Sequence, residues 1–224
     1  HLAKLNYYLN KDLLFDHVII FLDISDYYDE AFYQFDTNNL SIIHNKKDSR
    51  RILAKKIFPL TNYYFYVIKK IRKVSKSQVE ISGKNSKILF DESVTRKTSW
   101  LNKDIKNFKI NDKTLFKIHE ETKFYMDQIY QILDKRNIKF SLAIYPWPQN
   151  LLNKKNNYFY RNEWKNFCKT RCDNFFDYFE NFSIRVNNQG FEKVYKSYYI
   201  NGDIHFNKKG NILIADKIIK TLLN

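Results

Sequence analysis

An acid and an imidazole two residues apart, Asp203 and His205, are the residues in this chain whose types and spacing point most directly to chemistry. They lie in Tyr198-Tyr199-Ile200-Asn201-Gly202-Asp203-Ile204-His205-Phe206-Asn207-Lys208-Lys209-Gly210-Asn211. Asn201-Gly202 is a turn signal, and Leu213, Ile214, Ile218 and Leu222 fall at helical spacing after Gly210. The pair is therefore predicted on a short loop that runs into a helix. A carboxylate beside an imidazole orients the ring and stabilises its protonated form, as the general base of a hydroxyl nucleophile requires. The competing expectation is an ordinary surface pair, since Asp-x-His is common in loops.

The whole string Gly-Asp-x-His-Phe-Asn-x-x-Gly-Asn, followed by a short amphipathic helix, resembles the last block of the SGNH (GDSL-like) hydrolase superfamily. In that family the Asp and His complete a Ser-His-Asp triad. The family's usual spacing is Asp-x-x-His, and the shorter spacing here is closer to the branch of polysaccharide O-acetyltransferases of the alginate type. A second stretch, Phe15-Asp16-His17-Val18-Ile19-Ile20-Phe21-Leu22-Asp23-Ile24-Ser25-Asp26, resembles the third block of the same superfamily, where Gly-x-Asn-Asp follows an interior strand. Aligned so, Asp23 replaces the Gly, Ser25 replaces the Asn that supplies an oxyanion donor, and Asp26 matches the Asp. Ser25 as oxyanion donor, Ser25 as nucleophile, and Asp23 with Ser25 as caps of a strand end remain alternatives at this point.

The elements that must position these residues are legible in part. Residues 2–14 carry a helical stripe through Leu2, Leu5, Tyr8, Leu9 and Leu13. The continuous apolar run from Val18 to Ile24 predicts a strand buried on both faces of a parallel sheet. Phe140–Tyr145 predicts a second such strand, stopped by Pro146-Trp147-Pro148, because neither proline can donate a ladder hydrogen bond. Asn174–Phe179 is a third. Ligands of open α/β sheets bind beyond the carboxyl ends of the strands, so Tyr145 and Trp147 are expected to line the same edge as Ser25. Helices are predicted at 61–74, 113–136, 161–173 and 189–199. A β-hairpin is predicted at about 31–44, around Asp36-Thr37-Asn38-Asn39, with His44 a surface residue of that arm. Residues 75–111 read as an irregular, polar excursion.

His119-Glu120 lacks the second histidine of a His-Glu-x-x-His zinc motif, so His119 is expected to face solvent. Cys168 and Cys172 stand four apart on one helical face. They are read either as two buried thiols or as a disulfide in an oxidising compartment, which would need a distorted or terminal turn. No metal site and no cofactor are expected.

The 224 residues, 44% hydrophobic, suit a single α/β domain spanning 1–224. Net charge is +15, from 39 Lys and Arg against 24 Asp and Glu, but the lysines are scattered and Lys, Asn, Ile, Tyr and Phe are abundant together. That pattern argues for composition rather than for a nucleic-acid partner. No run approaches the ~18 apolar residues of a membrane span, so a membrane anchor is expected only in upstream sequence.

The expected fold is a three-layer, flavodoxin-like parallel sheet flanked by helices. The resemblance implies five strands where three are legible, and hence a chain that starts after the first strands and the nucleophilic serine. The function so implied is a serine esterase or O-acyltransferase acting on an acylated carbohydrate or similar ester, with an extracytoplasmic location favoured. A catalytically inactive carbohydrate-binding domain and a basic nucleic-acid-binding protein are the alternatives.

Overall fold

The computed structural model describes residues 1–36, 41–44, 78–83, 86–91, 109–110, 113–152 and 157–223. Three parallel strands form its main sheet: β1 (His17–Leu22), β8 (Lys139–Ile144) and β9 (Asn174–Asp177), in the order β1-β8-β9. Val18 pairs with Phe140 and Ile144 with Asp177. The central position of β8 follows from its composition: Phe140 to Ile144 are all buried, and both faces of the strand need cover. That cover comes from helices, giving a mixed α/β fold. Among the described residues β1 pairs with β8 alone, and Phe21 on it is 36% exposed.

The helices are α1 (Leu2–Leu9), α2 (Ile24–Phe32), α3 (Leu115–Asp134), α4 (Pro148–Leu152), α5 (Asn157–Cys168), α6 (Tyr178–Gln189), α7 (Phe191–Tyr198) and α8 (Lys208–Leu222). None of the described helices is long and apolar enough to cross a membrane. The α3 helix starts where the Thr114 side chain accepts from the Lys117 N–H, and it buries Leu115, Ile118, Met126, Ile129 and Leu133 at mostly 3–4-residue spacing. Pro148 opens α4, where its missing N–H has no helical partner to lose. Gly190 (φ +84°) separates α6 from α7, a left-handed backbone that only glycine adopts freely.

Three two-stranded antiparallel pairs complete the described elements. β2 (Tyr33–Asp36) pairs with β3 (Ser41–His44), β4 (Gln78–Gly83) with β5 (Ser86–Asp91), and β6 (Lys109–Ile110) with β7 (Lys113–Thr114). Within the excursion expected at 75–111, Gln78–Gly83 and Ser86–Asp91 are regular strands. Val79 and Ile81 alternate with polar residues, Ile88 and Phe90 lie two apart on the partner strand, and a two-residue connection brings Gly83 opposite Ser86. The helix expected at 61–74 lies outside the described residues.

Two buried positions also differ from expectation. His119 does not face solvent: it is fully buried on α3. Its Nδ1 meets the Tyr27 hydroxyl from α2, and its Nε2 lies 3.3 Å from Glu163 Oε2 on α5. The rings of Tyr27, Phe159 and Trp164 stand edge-on around it. A polar ring is retained in this core because both its nitrogens find partners. Trp147, expected at the sheet edge, is 2% exposed and belongs to the core. The chain after Ile144 turns it inward while Asn150 Oδ1 accepts from its backbone N–H at 2.8 Å.

Cys168 and Cys172 form a disulfide, Cα–Cα 4.6 Å. α5 ends at Cys168, ahead of the span predicted for it, so Cys172 lies past the regular helix. The turn between them is free to draw the sulfurs together. Replacing both cysteines by serine should cost about 2 kcal/mol for so short a loop, lowering Tm by roughly 4–8 °C. Thermal unfolding of the oxidised wild type and the double variant measures this.

A second stability element sits where α2 packs on α3. Burial pushes the Glu30 carboxyl from its ordinary 4.5 up to about 7, and neighbouring Glu121 adds to the effect while Lys113 opposes it. A carboxyl whose folded pKa is raised resists ionisation, so its contribution is greatest below pH 4.5 and is lost as pH rises toward 7. Denaturation curves from pH 4 to 8 should therefore show Glu30→Gln gaining on the wild type across that interval.

Candidate functional site

The site is built on the segments that leave the carboxyl ends of the strands. β1 ends at Leu22, and α2 begins two residues later with Asp23 as its N-cap. The Asp23 side chain accepts from the Ser25 N–H (Oδ1, 2.6 Å), while Asp26 Oδ2 accepts from the Asp23 N–H (2.8 Å). This is a capping box, and its Asp-x-x-Asp spacing was available in the sequence. Ser25 Oγ also donates to Asp23 Oδ1, at 2.5 Å, so its proton points into the cap rather than outward. Asp26 meets His1 Nε2 at 3.2 Å.

From the end of β8, Tyr145 donates its hydroxyl to the other oxygen of Asp23 at 2.5 Å. Burial, and then the charge of Asp23, raises the Tyr145 pKa far above the usual phenol range, so it keeps its proton. Asp23 thus ties β1, α2 and β8 together. Tyr160 supplies a further buried hydroxyl on α5, without a hydrogen-bond partner among the described residues. Burial, followed by the nearby phenol of Tyr27 and the charges of Asp26 and Asp23, raises its pKa.

Asp203 and His205 stand on the segment between α7 and α8. Gly202 adopts φ +74° in a turn closed by Asp203 N–H to Ile200 O (3.0 Å) and Ile200 N–H to His205 O (2.9 Å). Tyr199 and Phe206 form an antiparallel bridge, and the Tyr199 hydroxyl donates to the Pro146 carbonyl just past β8 (2.9 Å). The Phe206 ring packs 4.7 Å from Tyr199, 5.1 Å from Phe182 and 5.5 Å from Tyr145 between centroids. Asn207 staples the far end: its Nδ2 donates to the carbonyls of Ser197 and Tyr199, and its Oδ1 caps α8 at Gly210 N–H.

The dyad itself is tightly coupled and open to solvent. His205 Nδ1 lies 2.6 Å from Asp203 Oδ1, with the two side chains 71% and 43% exposed. A carboxylate only accepts, so Nδ1 is the ring nitrogen that donates to Asp203. Asp203 Oδ1 also takes the N–H groups of Ile204 (2.5 Å) and His205 (3.2 Å). Partial burial alone would raise this carboxyl. The hydrogen bonds from the His205 ring and from the two backbone groups together outweigh burial and hold it below its ordinary value. An exposed ion pair by itself contributes little order, so the backbone donors fix the acid.

Among the described residues no hydrogen bond joins His205 to Ser25. The two stretches connect through Asp23, the Tyr145 ring and Phe206, the neighbour of His205. Of the residues expected at this edge, Asp23, Ser25, Asp26 and Tyr145 form one network, the dyad loop reaches it through Phe206 against the Tyr145 ring, and Trp147 lies in the core. At the opposite, amino end of the sheet, His17 Nε2 and Ser141 Oγ share a hydrogen bond at 2.8 Å. Ser141 is fully buried, so this pair latches β1 to β8 and offers no accessible nucleophile. No local pattern signals it, because the two residues are 124 positions apart.

No family model, curated protein or solved structure matches the chain.

The dyad loop depends on Gly210. A Cβ there would overlap the Tyr198 carbonyl oxygen and come within 2.9 Å of Phe206 Cβ and Cδ1. Gly210→Ala should cost about 1–3 kcal/mol and loosen the residues that hold the dyad. Chemical denaturation measures the first effect, and faster amide exchange at Ile200 and Asn207 the second.

Proposed function

We propose that this chain carries the base and orienting acid of a serine esterase or O-acyltransferase of SGNH type. The observation that supports it best is the His205–Asp203 arrangement. The imidazole Nδ1 is held by an acid that is itself held by backbone donors, and the exposed ring keeps Nε2 without a hydrogen-bond partner among the described residues. In this reading Nε2 removes the proton of a serine hydroxyl as the serine oxygen attacks an ester carbonyl. It then returns that proton to the leaving alcohol oxygen. Water or a sugar hydroxyl takes the acyl group in the second half-reaction.

The nucleophile in this reading belongs to a strand preceding His1, which docks on the side of β1 that has no partner among the described residues. Val18-Ile19-Ile20-Phe21-Leu22 carries none of the charges, prolines or bulges that usually blunt a sheet edge. Three further features suit the chemistry. α2 and α6 begin directly at the carboxyl ends of β1 and β9, so their N-terminal dipoles favour developing negative charge at that edge. Tyr145 and Phe206 supply aromatic surface beside the dyad for an acyl or sugar group. The disulfide suits an oxidising, extracytoplasmic compartment.

The test uses the protein with the residues that precede His1. It should hydrolyse a p-nitrophenyl ester and take up a fluorophosphonate, while residues 1–224 alone should do neither. His205→Ala in the longer protein should lower kcat/KM on the order of 10⁴-fold or more. Undiminished hydrolysis in that variant would refute the assignment, and fluorophosphonate on Ser25 of the 1–224 chain would move the nucleophile there.

A further inference from the structure

Away from the dyad, on the α3–α5 face, His119, Glu120 and Glu163 bring one imidazole nitrogen and two carboxylate oxygens within 4.8 Å of one another. The two acids border a surface cleft of about 450 Å³ whose other polar walls are Lys123, Asp127, Asn166 and Arg171. The ring of His119 is fixed before any ligand arrives. Its Nδ1 is engaged by Tyr27, three aromatic rings surround it, and only Nε2 is turned toward the acids.

We propose that this group is a divalent-cation site, with Zn²⁺ the best match to its ligands. One imidazole nitrogen and two carboxylate oxygens form a borderline donor set, and three protein ligands leave the fourth tetrahedral position for water. The spacing fits: bonds of about 2.1 Å at tetrahedral angles put neighbouring donors roughly 3.4 Å apart, and His119 Nε2 stands 3.3 Å from Glu163 Oε2. Glu120, exposed on α3, closes the set by a side-chain shift. The Tyr27 hydroxyl is the outer partner that metal-bound histidines generally have on their second nitrogen. On binding, the neutral ring would change tautomer: Nε2 would give up the proton it donates to Glu163, Nδ1 would take one up, the Tyr27 hydroxyl would turn to accept from Nδ1, and Nε2 would offer its lone pair to the metal.

Without metal the place is held by an internal cation. The Lys123 ammonium lies 3.3 Å from Glu120 Oε1 and 3.5 Å from Glu163 Oε2, bridging the two acids. Metal entry therefore requires Lys123 to swing into the cleft, which sets a direct competition between ammonium and metal for the same carboxylates. That competition separates a metal site from a merely structural ion-pair cluster.

Chelator-treated protein is titrated with Zn²⁺ by calorimetry at pH 7, beside Glu163→Gln, Lys123→Gln and His205→Ala. One Zn²⁺ should bind per chain. Glu163→Gln should weaken binding by at least about tenfold, Lys123→Gln should tighten it, and His205→Ala should leave it unchanged. Glu163 and Lys123 are partly exposed, so neither change threatens the fold, and circular dichroism checks that. No saturable uptake, or uptake that Glu163→Gln leaves intact, would overturn the proposal. Loss of uptake with His205→Ala would assign the metal to the dyad and overturn it equally.

Discussion

Everything in this fold answers to one strand that must lie in the middle. β8 buries every residue from Phe140 to Ile144, so it needs a strand on each side and helices over both faces. Its partners run parallel to it, and parallel strands are joined by crossovers long enough to hold helices. All three strands therefore end at one edge. Polar groups that are far apart in sequence meet there: Asp23 after β1, Tyr145 after β8 and Asp177 at the end of β9.

That edge is organised by short polar side chains rather than by large charged networks. Asp23 receives donors from Ser25 and Tyr145, and Asp177 caps α6 while pairing with Arg161. The dyad loop is then held down by aromatic packing and backbone bonds. Tyr199, Phe206, Phe182 and Tyr145 form its floor, and Asn207 closes its far end. The result is a solvent-open imidazole whose loop is held in place by a packed aromatic base.

The α3–α5 face follows a different logic. His119 is buried because Tyr27 and Glu163 satisfy both its nitrogens, and the aromatic wall around it excludes water. Burial shifts His119 toward the neutral form, although the hydrogen bond that its Nε2 donates to the Glu163 carboxylate opposes that shift. Charge at this face is instead carried by Glu120, Glu163 and Lys123 at the surface.

Sequence alone determined what depends on near neighbours. The apolar runs of β1 and β8, the stripe of α3 and the Asn-Gly turn before the dyad are all local patterns, and so is an acid two residues from its histidine. Helix ends were less legible: α1 stops at Leu9 although the apolar stripe continues to Leu13, and Leu13 and Leu14 are 51% and 99% exposed. Only the tertiary structure decided the rest. It buried Trp147 and His119, brought Tyr27 across 92 positions and Tyr145 across 122, and joined Cys168 to Cys172 by ending α5 at the first of them. Periodicity along the chain states which face of an element is apolar; which polar group waits on the neighbouring element is set by packing, and a single sequence carries no trace of that partner.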